Sequence, residues 1–158
     1  SDSQLQILLI TSTTFAAAGS FIYGLVVDRL GPKRTLTLIL GQWVLVFLAA
    51  AATFNQSVFY VIGALAGVSL GATWTVDRVF LTRLSPPDKI GEFFGLYGMA
   101  GRFSAVIGPT IWGVTLWVLR DLGLIRYRIG ILVLLTLLGA GFAVLQGVDE
   151  KAGVKDTR

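Results

Sequence analysis

The ionisable residues of this 158-residue chain are placed for handling charge at the edge of an apolar medium. Asp28 is followed by Arg29, Lys33 and Arg34, and Asp77 by Arg78, while Arg102 stands alone inside an apolar stretch. A carboxylate in such a setting can hold a neighbouring helix N-terminus or carry a proton, and an arginine can pair with an anion. Covalent chemistry is poorly provided for. The chain has no histidine and no cysteine. That removes the commonest general base and metal ligand, the serine–histidine dyad of intramembrane proteases, disulfides and thiolate metal sites. No catalytic residue, metal site or cofactor is expected, and a membrane enzyme is the weakest of the available readings.

The medium is a membrane. Hydrophobic residues make up 54% of the chain and charged residues only 14%, against about a quarter charged in soluble domains. The mean hydropathy is +0.77. A net charge of +4 would suggest nucleic acid in a soluble chain. Here the cations lie between apolar runs and speak for membrane topology instead, with no nucleic-acid partner. A spanning helix needs about 20 mostly apolar residues, and five stretches qualify: 5–27, 36–54, 58–76, 93–119 and 129–147. Each is too long for a barrel strand. The expected fold is therefore an all-α, multi-pass membrane protein with five transmembrane helices and lipid on its outer faces.

Short connections join the spans. Residues 28–34 form the first loop and Asn55-Gln56-Ser57 the second. Ser85-Pro86 reads as an N-cap followed by proline at the first position of the fourth helix. Alternate loops share a side. One side holds Arg29, Lys33, Arg34, Arg78, Arg83, Lys89, Lys151, Lys155 and Arg158, and the other Arg120, Arg126 and Arg128. Nine against three places the first set in the cytoplasm, with the N-terminus outside and the C-terminal tail inside. The three external arginines run against the trend. The second and fifth spans are nearly all Leu, Val and Ile, as suits lipid-facing helices. The first, third and fourth carry the polar side chains, as suits helices lining a path.

Individual motifs admit a plain and a sharper reading. Gly63, Gly67 and Gly71 fall four apart and give a smooth face for helix packing. Trp74 continues near that face, with Arg78 in reach for a cation–π contact. Asp77 and Arg78 read either as an interfacial charge pair or as a gate or coupling site. Arg102 lies about 15 Å along a helix that starts at Glu92. It can snorkel to the interface, or face a cavity and meet an anionic solute group or Asp77. Gly108-Pro109 should kink the fourth helix and is compatible with a hinge. The run Gly24-Leu-Val-Val-Asp28-Arg29-Leu-Gly31-Pro32-Lys33-Arg34 puts a close-packing glycine, a carboxylate, a turn glycine and three cations into one short segment. It reads either as an ordinary positive loop or as a gating hinge.

That run resembles the signature loop of the major facilitator superfamily, G-x-L-a-D-r-x-G-r-k. Gly24, Asp28, Arg29, Gly31 and Lys33 match, with Val26 in place of leucine and Pro32 in place of a basic residue. Family members carry the loop between helices two and three and a degenerate copy between helices eight and nine. The departures suit the second copy, so the resemblance implies that the five spans are helices 8–12 of a 12-helix transporter. The stretch from Arg83 through Pro86-Pro87 and Glu92-Phe-Phe-Gly-Leu-Tyr97 to Gly101-Arg102 and Gly108-Pro109 resembles the branch of vacuolar amino-acid effluxers linked to autophagy and their bacterial relatives. The resemblance implies secondary active transport of a small solute by alternating access, with a proton or ion as a candidate coupling partner. The N-terminal helices of the same transporter would complete it. The location would be a bacterial inner membrane, or a vacuolar membrane in a eukaryote. The rival is a small membrane protein that transports nothing, an assembly or interaction subunit whose glycine faces bind partner helices.

Overall fold

The computed structural model describes residues 2–53 and 55–148. Within them the chain forms five α-helices: α1 (Asp2–Leu30), α2 (Pro32–Ala52), α3 (Gln56–Leu84), α4 (Ile90–Val118) and α5 (Ile125–Gly147), with a 3-10 turn at Arg120–Leu122 before α5. Four helices, α1, α2, α3 and α5, are long and apolar enough to cross a membrane. α4 has 29 residues, as many as α1. α4 carries Glu92 in its first turn, and Arg102 and Pro109 in its interior.

The helices outrun the apolar stretches that mark them. α1 continues past Val27 to Leu30, and α3 runs on from Val76 to Leu84, its last turns carrying Arg83. Apolarity reports membrane depth, whereas backbone hydrogen bonding continues until something breaks it. Nothing between Val27 and Leu30 does. The 28–34 loop read from the sequence is thus a single non-helical residue, Gly31, with Asp28 and Arg29 in the last turn of α1 and Lys33 and Arg34 in the first turn of α2. Gln56, read as part of a turn, already belongs to α3.

The connection before α4 also differs from the expected cap. Ser85 closes α3 instead of opening α4: its N–H donates to the Leu81 carbonyl at 3.0 Å and its hydroxyl to the same oxygen at 2.7 Å. Pro86 cannot start a helix because a residue before proline is pushed out of the α region, and Pro87 follows it. The chain turns once more, with the Lys89 N–H on the Pro86 carbonyl at 3.0 Å, and α4 begins at Ile90 without a side-chain cap. α4 is continuous through Pro109. Just beyond it, the Thr110 hydroxyl donates back to the Val106 carbonyl at 2.7 Å.

The chain divides after Val79 into two compact units. In the first, α1, α2 and α3 enclose Ala16, Val27, Leu36, Ile39, Val46, Ile62, Ala72 and Val76, together with the hydroxyls of Thr35 and Ser69. In the second, α4 and α5 meet where the Trp112 ring lies on Gly130, and α4 has no buried residue. Residues Lys151, Lys155 and Arg158, counted above for topology, lie outside the described residues.

Candidate functional site

Gly31 makes the first helical hairpin possible. Its φ of 80° and ψ of 158° fall in a region open essentially to glycine alone. Its N–H still donates to the Val27 carbonyl at 3.0 Å, the last bond of α1. Its own carbonyl accepts the Thr35 N–H at 3.2 Å and the Thr35 hydroxyl at 2.8 Å, the first bonds of α2. One residue thus serves two helices, and proline at the first position of α2 suits an N-terminus that needs no donor there. Pro32 is fully buried. Asp28, Arg29 and Arg34 are exposed at this end of the hairpin, and Lys33 is half-buried. Gly24 has open space where a Cβ would be.

α1 and α3 run parallel with backbones in contact. A Cβ on Gly67 would overlap the Ser12 carbonyl, one on Gly71 the Ala16 carbonyl, and one on Gly19 the Val68 carbonyl. Gly63 meets Ser12 and the Leu8 side chain, and the Ser12 hydroxyl donates to the Gly63 carbonyl at 3.0 Å. One turn beyond Gly71, Thr75 and Ser20 share a hydrogen bond between hydroxyls. Position by position, Ser12, Ala16 and Ser20 on α1 answer Gly63, Gly67, Gly71 and Thr75 on α3. Small residues let backbones approach this closely, and hydroxyls across the seam add interhelical hydrogen bonds.

α2 ties this pair together through polar groups. The Tyr23 hydroxyl of α1 donates to Gln42 Oε1, and Gln42 Nε2 donates on to the Leu65 carbonyl of α3 at 3.3 Å. The neighbouring Trp43 indole donates to Thr73 Oγ1 at 3.2 Å, while Thr73 donates to the Ser69 carbonyl at 2.7 Å. α2 therefore differs from the plain lipid-facing helix its composition suggests. Leu38, Leu45 and Leu48 are exposed, but Thr35, Ile39, Gln42, Trp43 and Val46 pack inward or bond across. Gln42 was the available signal: an amide inside an apolar run needs partners that lipid cannot give.

Ser69, Thr73 and Asp77 recur every four residues along α3. Ser69 is fully buried, Thr73 bonds to α2, and Oδ1 of Asp77 is shielded from solvent. Asp77 lies seven residues before the end of α3. Trp74 is 56% exposed and Arg78 is exposed, on the flank beside that stripe. The Arg126 guanidinium lies over the Tyr127 ring at 4.9 Å. In the second unit Arg102 is exposed on α4, and Gly108 has open space where a Cβ would be. An apolar groove of about 400 Å³ runs along α1 and α3 between Phe15, Tyr60, Val61, Ala64, Leu65 and Val68. No side-chain cluster of metal-ligand type occurs among the described residues.

One hairpin, between α1 and α2, thus combines a glycine pivot, a carboxylate and flanking cations in a largely apolar chain. Residues 1–157 match the family model of the Major Facilitator Superfamily. The chain belongs to that superfamily. Major facilitator relatives among curated proteins include an uncharacterized MFS-type transporter, YxiO, of Bacillus subtilis, 29% identical over 113 residues, which cover 72% of this chain and 26% of the relative. Autophagy-related protein 22 of Coccidioides immitis is 34% identical over 99 residues, 63% of this chain and 16% of the relative. Multidrug resistance protein 3 of Bacillus subtilis is 29% identical over 99 residues, 60% of this chain and 18% of the relative. The chain spans about a quarter or less of the length of these three relatives. No solved structure matches it. Superfamily membership and the apolar helices make this an integral, multi-pass membrane protein of a transporter family, and the autophagy-related relatives place it beside the branch its Glu92–Tyr97 segment resembles.

Proposed function

We propose that the chain is the C-terminal part of a secondary active transporter, helices 8–12 of a 12-helix major facilitator fold, that moves a small solute by alternating access. The N-terminal helices of the same protein are its partner, and a proton or ion gradient drives it. The carrying observation is the hairpin at Gly31: one residue of Gly-only geometry, flanked by Asp28 and Arg29 on one helix end and Lys33 and Arg34 on the next.

The exposed carboxylate of Asp28 lies in the last turn of α1, where the helix dipole disfavours an anion. It gains by meeting the N-terminus of another helix. That attraction is worth about 0.3–1 kcal/mol at exposed sites and up to about 2 when partly buried. A bias of this size shifts an equilibrium between outward-open and inward-open forms several-fold to tenfold or more. Asp28 acts as a latch on the cytoplasmic side while the transporter faces outward. Asp77, Trp74, Arg78 and Arg102 are the candidates for contact with the solute or the coupling ion, and Gly108-Pro109 for a hinge in α4.

Reconstitution of the full-length protein tests this. After a gradient-driven uptake screen has identified a transported solute, Asp28→Asn should express normally and take it up several-fold more slowly. Acidic residues contribute little to orientation, so a merely topological role leaves the uptake rate of Asp28→Asn unchanged, and that result sinks the latch.

A further inference from the structure

The second unit carries three arginines that oppose the general charge bias, and the structure shows what they are set among. α5 is long and apolar enough to cross a membrane, so its first residue, Ile125, lies near an interface. Arg126 and Arg128 fall in its first turn, and Arg120 sits in the 3-10 turn just before it. Gly123, with φ of 55°, reverses the chain between them.

The arginines are set beside aromatic rings and exposed apolar side chains. The Arg126 guanidinium lies 4.9 Å over the Tyr127 ring and donates through Nη2 to its hydroxyl at 3.0 Å. Tyr127 in turn lies 6.5 Å from the Trp112 ring, which packs on Gly130. Nε of Arg126 is shielded from solvent and has no hydrogen-bond partner among the described residues. Among the described residues Arg120 pairs with its sequence neighbour Asp121, at 3.9 Å, with both side chains largely exposed; such a pair is weak and leaves the guanidinium available. Around these cations Trp117, Val118, Leu124 and Ile125 are each at least 59% exposed. Exposed tryptophan and tyrosine with arginine, at the end of a spanning helix, belong at headgroup level, with apolar groups toward the acyl chains and cations toward phosphate.

We propose that the turn between α4 and α5 is a docking site for an anionic phospholipid, with Arg120 and Arg126 on the headgroup phosphate and Trp117, Leu124 and Ile125 among its acyl chains. The reading uses charge complementarity and the position of α5 alone, and is independent of the solute and of the Asp28 latch. A phosphate gives the exposed Arg120 guanidinium, weakly paired with Asp121, a further anion to bind. It also gives the three arginines a reason to occupy a turn that topology alone would leave neutral.

The test uses the full-length protein in nanodiscs of phosphatidylcholine, alone or with phosphatidylglycerol, followed by release into detergent and native mass spectrometry of retained lipid. The wild type should retain phosphatidylglycerol in preference to phosphatidylcholine. Arg120→Gln should weaken that retention about five-fold, and Arg120→Gln with Arg126→Gln further, about five-fold for each arginine removed. Arg120→Lys should retain most of it. The single Arg120→Gln variant keeps the test open if the double variant misfolds, because Arg120 is exposed and outside the packed contacts. Equal retention of the two lipids, or full phosphatidylglycerol retention in Arg120→Gln, overturns the proposal. Competition by free glycerol phosphate at equal strength also overturns it, and makes the turn a site for a soluble anion.

Discussion

α3 and α4 are equally long and both rich in glycine, yet they use glycine differently. On α3, Gly67 and Gly71 lie directly on the carbonyls of Ser12 and Ala16, and Gly63 on Leu8 and Ser12. On α4, Gly91, Gly95, Gly98, Gly101 and Gly108 have nothing of the described chain within 4 Å. The α3 stripe has regular four-residue spacing and faces an α1 stripe of matching small residues. The α4 glycines, Gly113 included, are spaced irregularly, by four, three, three, seven and five. Glycine content alone therefore says that a face is smooth, and spacing matched to a second small-residue stripe says what lies on it.

Substitution can break or sharpen that contrast. The largest effect should come from Gly71→Ala or Gly67→Ala. Either methyl lands on a backbone carbonyl that cannot rotate away, so the helices must part, at about 1–3 kcal/mol. Thermal unfolding of the full-length protein in detergent reads this directly. Gly98→Ala should be neutral, or stabilise by up to about 1 kcal/mol through helix propensity. A loss at Gly98 as large as at Gly71 would mean that α4 packs on a further segment as tightly as α3 packs on α1.

Gly31→Ala comes next, at about 1–3 kcal/mol for forcing a side chain into Gly-only backbone geometry. It should cost more than Gly123→Ala, since Gly31 adjoins the buried Pro32 whereas Gly123 is exposed. A smaller effect follows for Gln42→Leu, which removes the bridge from Tyr23 to Leu65. Interhelical hydrogen bonds in membranes average about 0.6 kcal/mol, and the same melting measurement should give a loss of that order. A stabilised Gln42→Leu would show that the amide serves something other than holding three helices together. The smallest should be Gly130→Ala. A methyl there meets the Trp112 ring at 2.7 Å, but a side chain can swing where a carbonyl cannot, so about 0.5 kcal/mol is expected, below the overpacking cost of about 1–3 kcal/mol typical of a packed core.

The helices were legible in the sequence because apolar runs of membrane length allow little else. Their ends were less so. Val27 and Val76 close the apolar runs, yet α1 and α3 continue to Leu30 and Leu84, since polar residues end membrane burial without ending a helix. Ser85-Pro86 looked like a helix start until the second proline, Pro87, is considered. The residues around Gly31 were legible as a motif, though as a seven-residue loop where the structure has one non-helical residue. Gln42, Trp43 and Gly19 went unnoticed for different reasons. Gln42 and Trp43 sit in a helix whose overall composition suits lipid, and Gly19 matters only because Val68 lies opposite, a partner 49 positions away that no local pattern reveals.

The proposed transport cycle moves this chain against the rest of the full-length protein between two arrangements biased by Asp28. Pulsed electron paramagnetic resonance on the full-length protein tests it most directly, with one spin label at Arg34→Cys and another at the cytoplasmic end of the N-terminal half. Cysteine can be introduced without background in this chain, which has none of its own. Two distance populations are expected, with Asp28→Asn shifting weight to the longer one several-fold. A single population, unmoved by Asp28→Asn, would contradict the account.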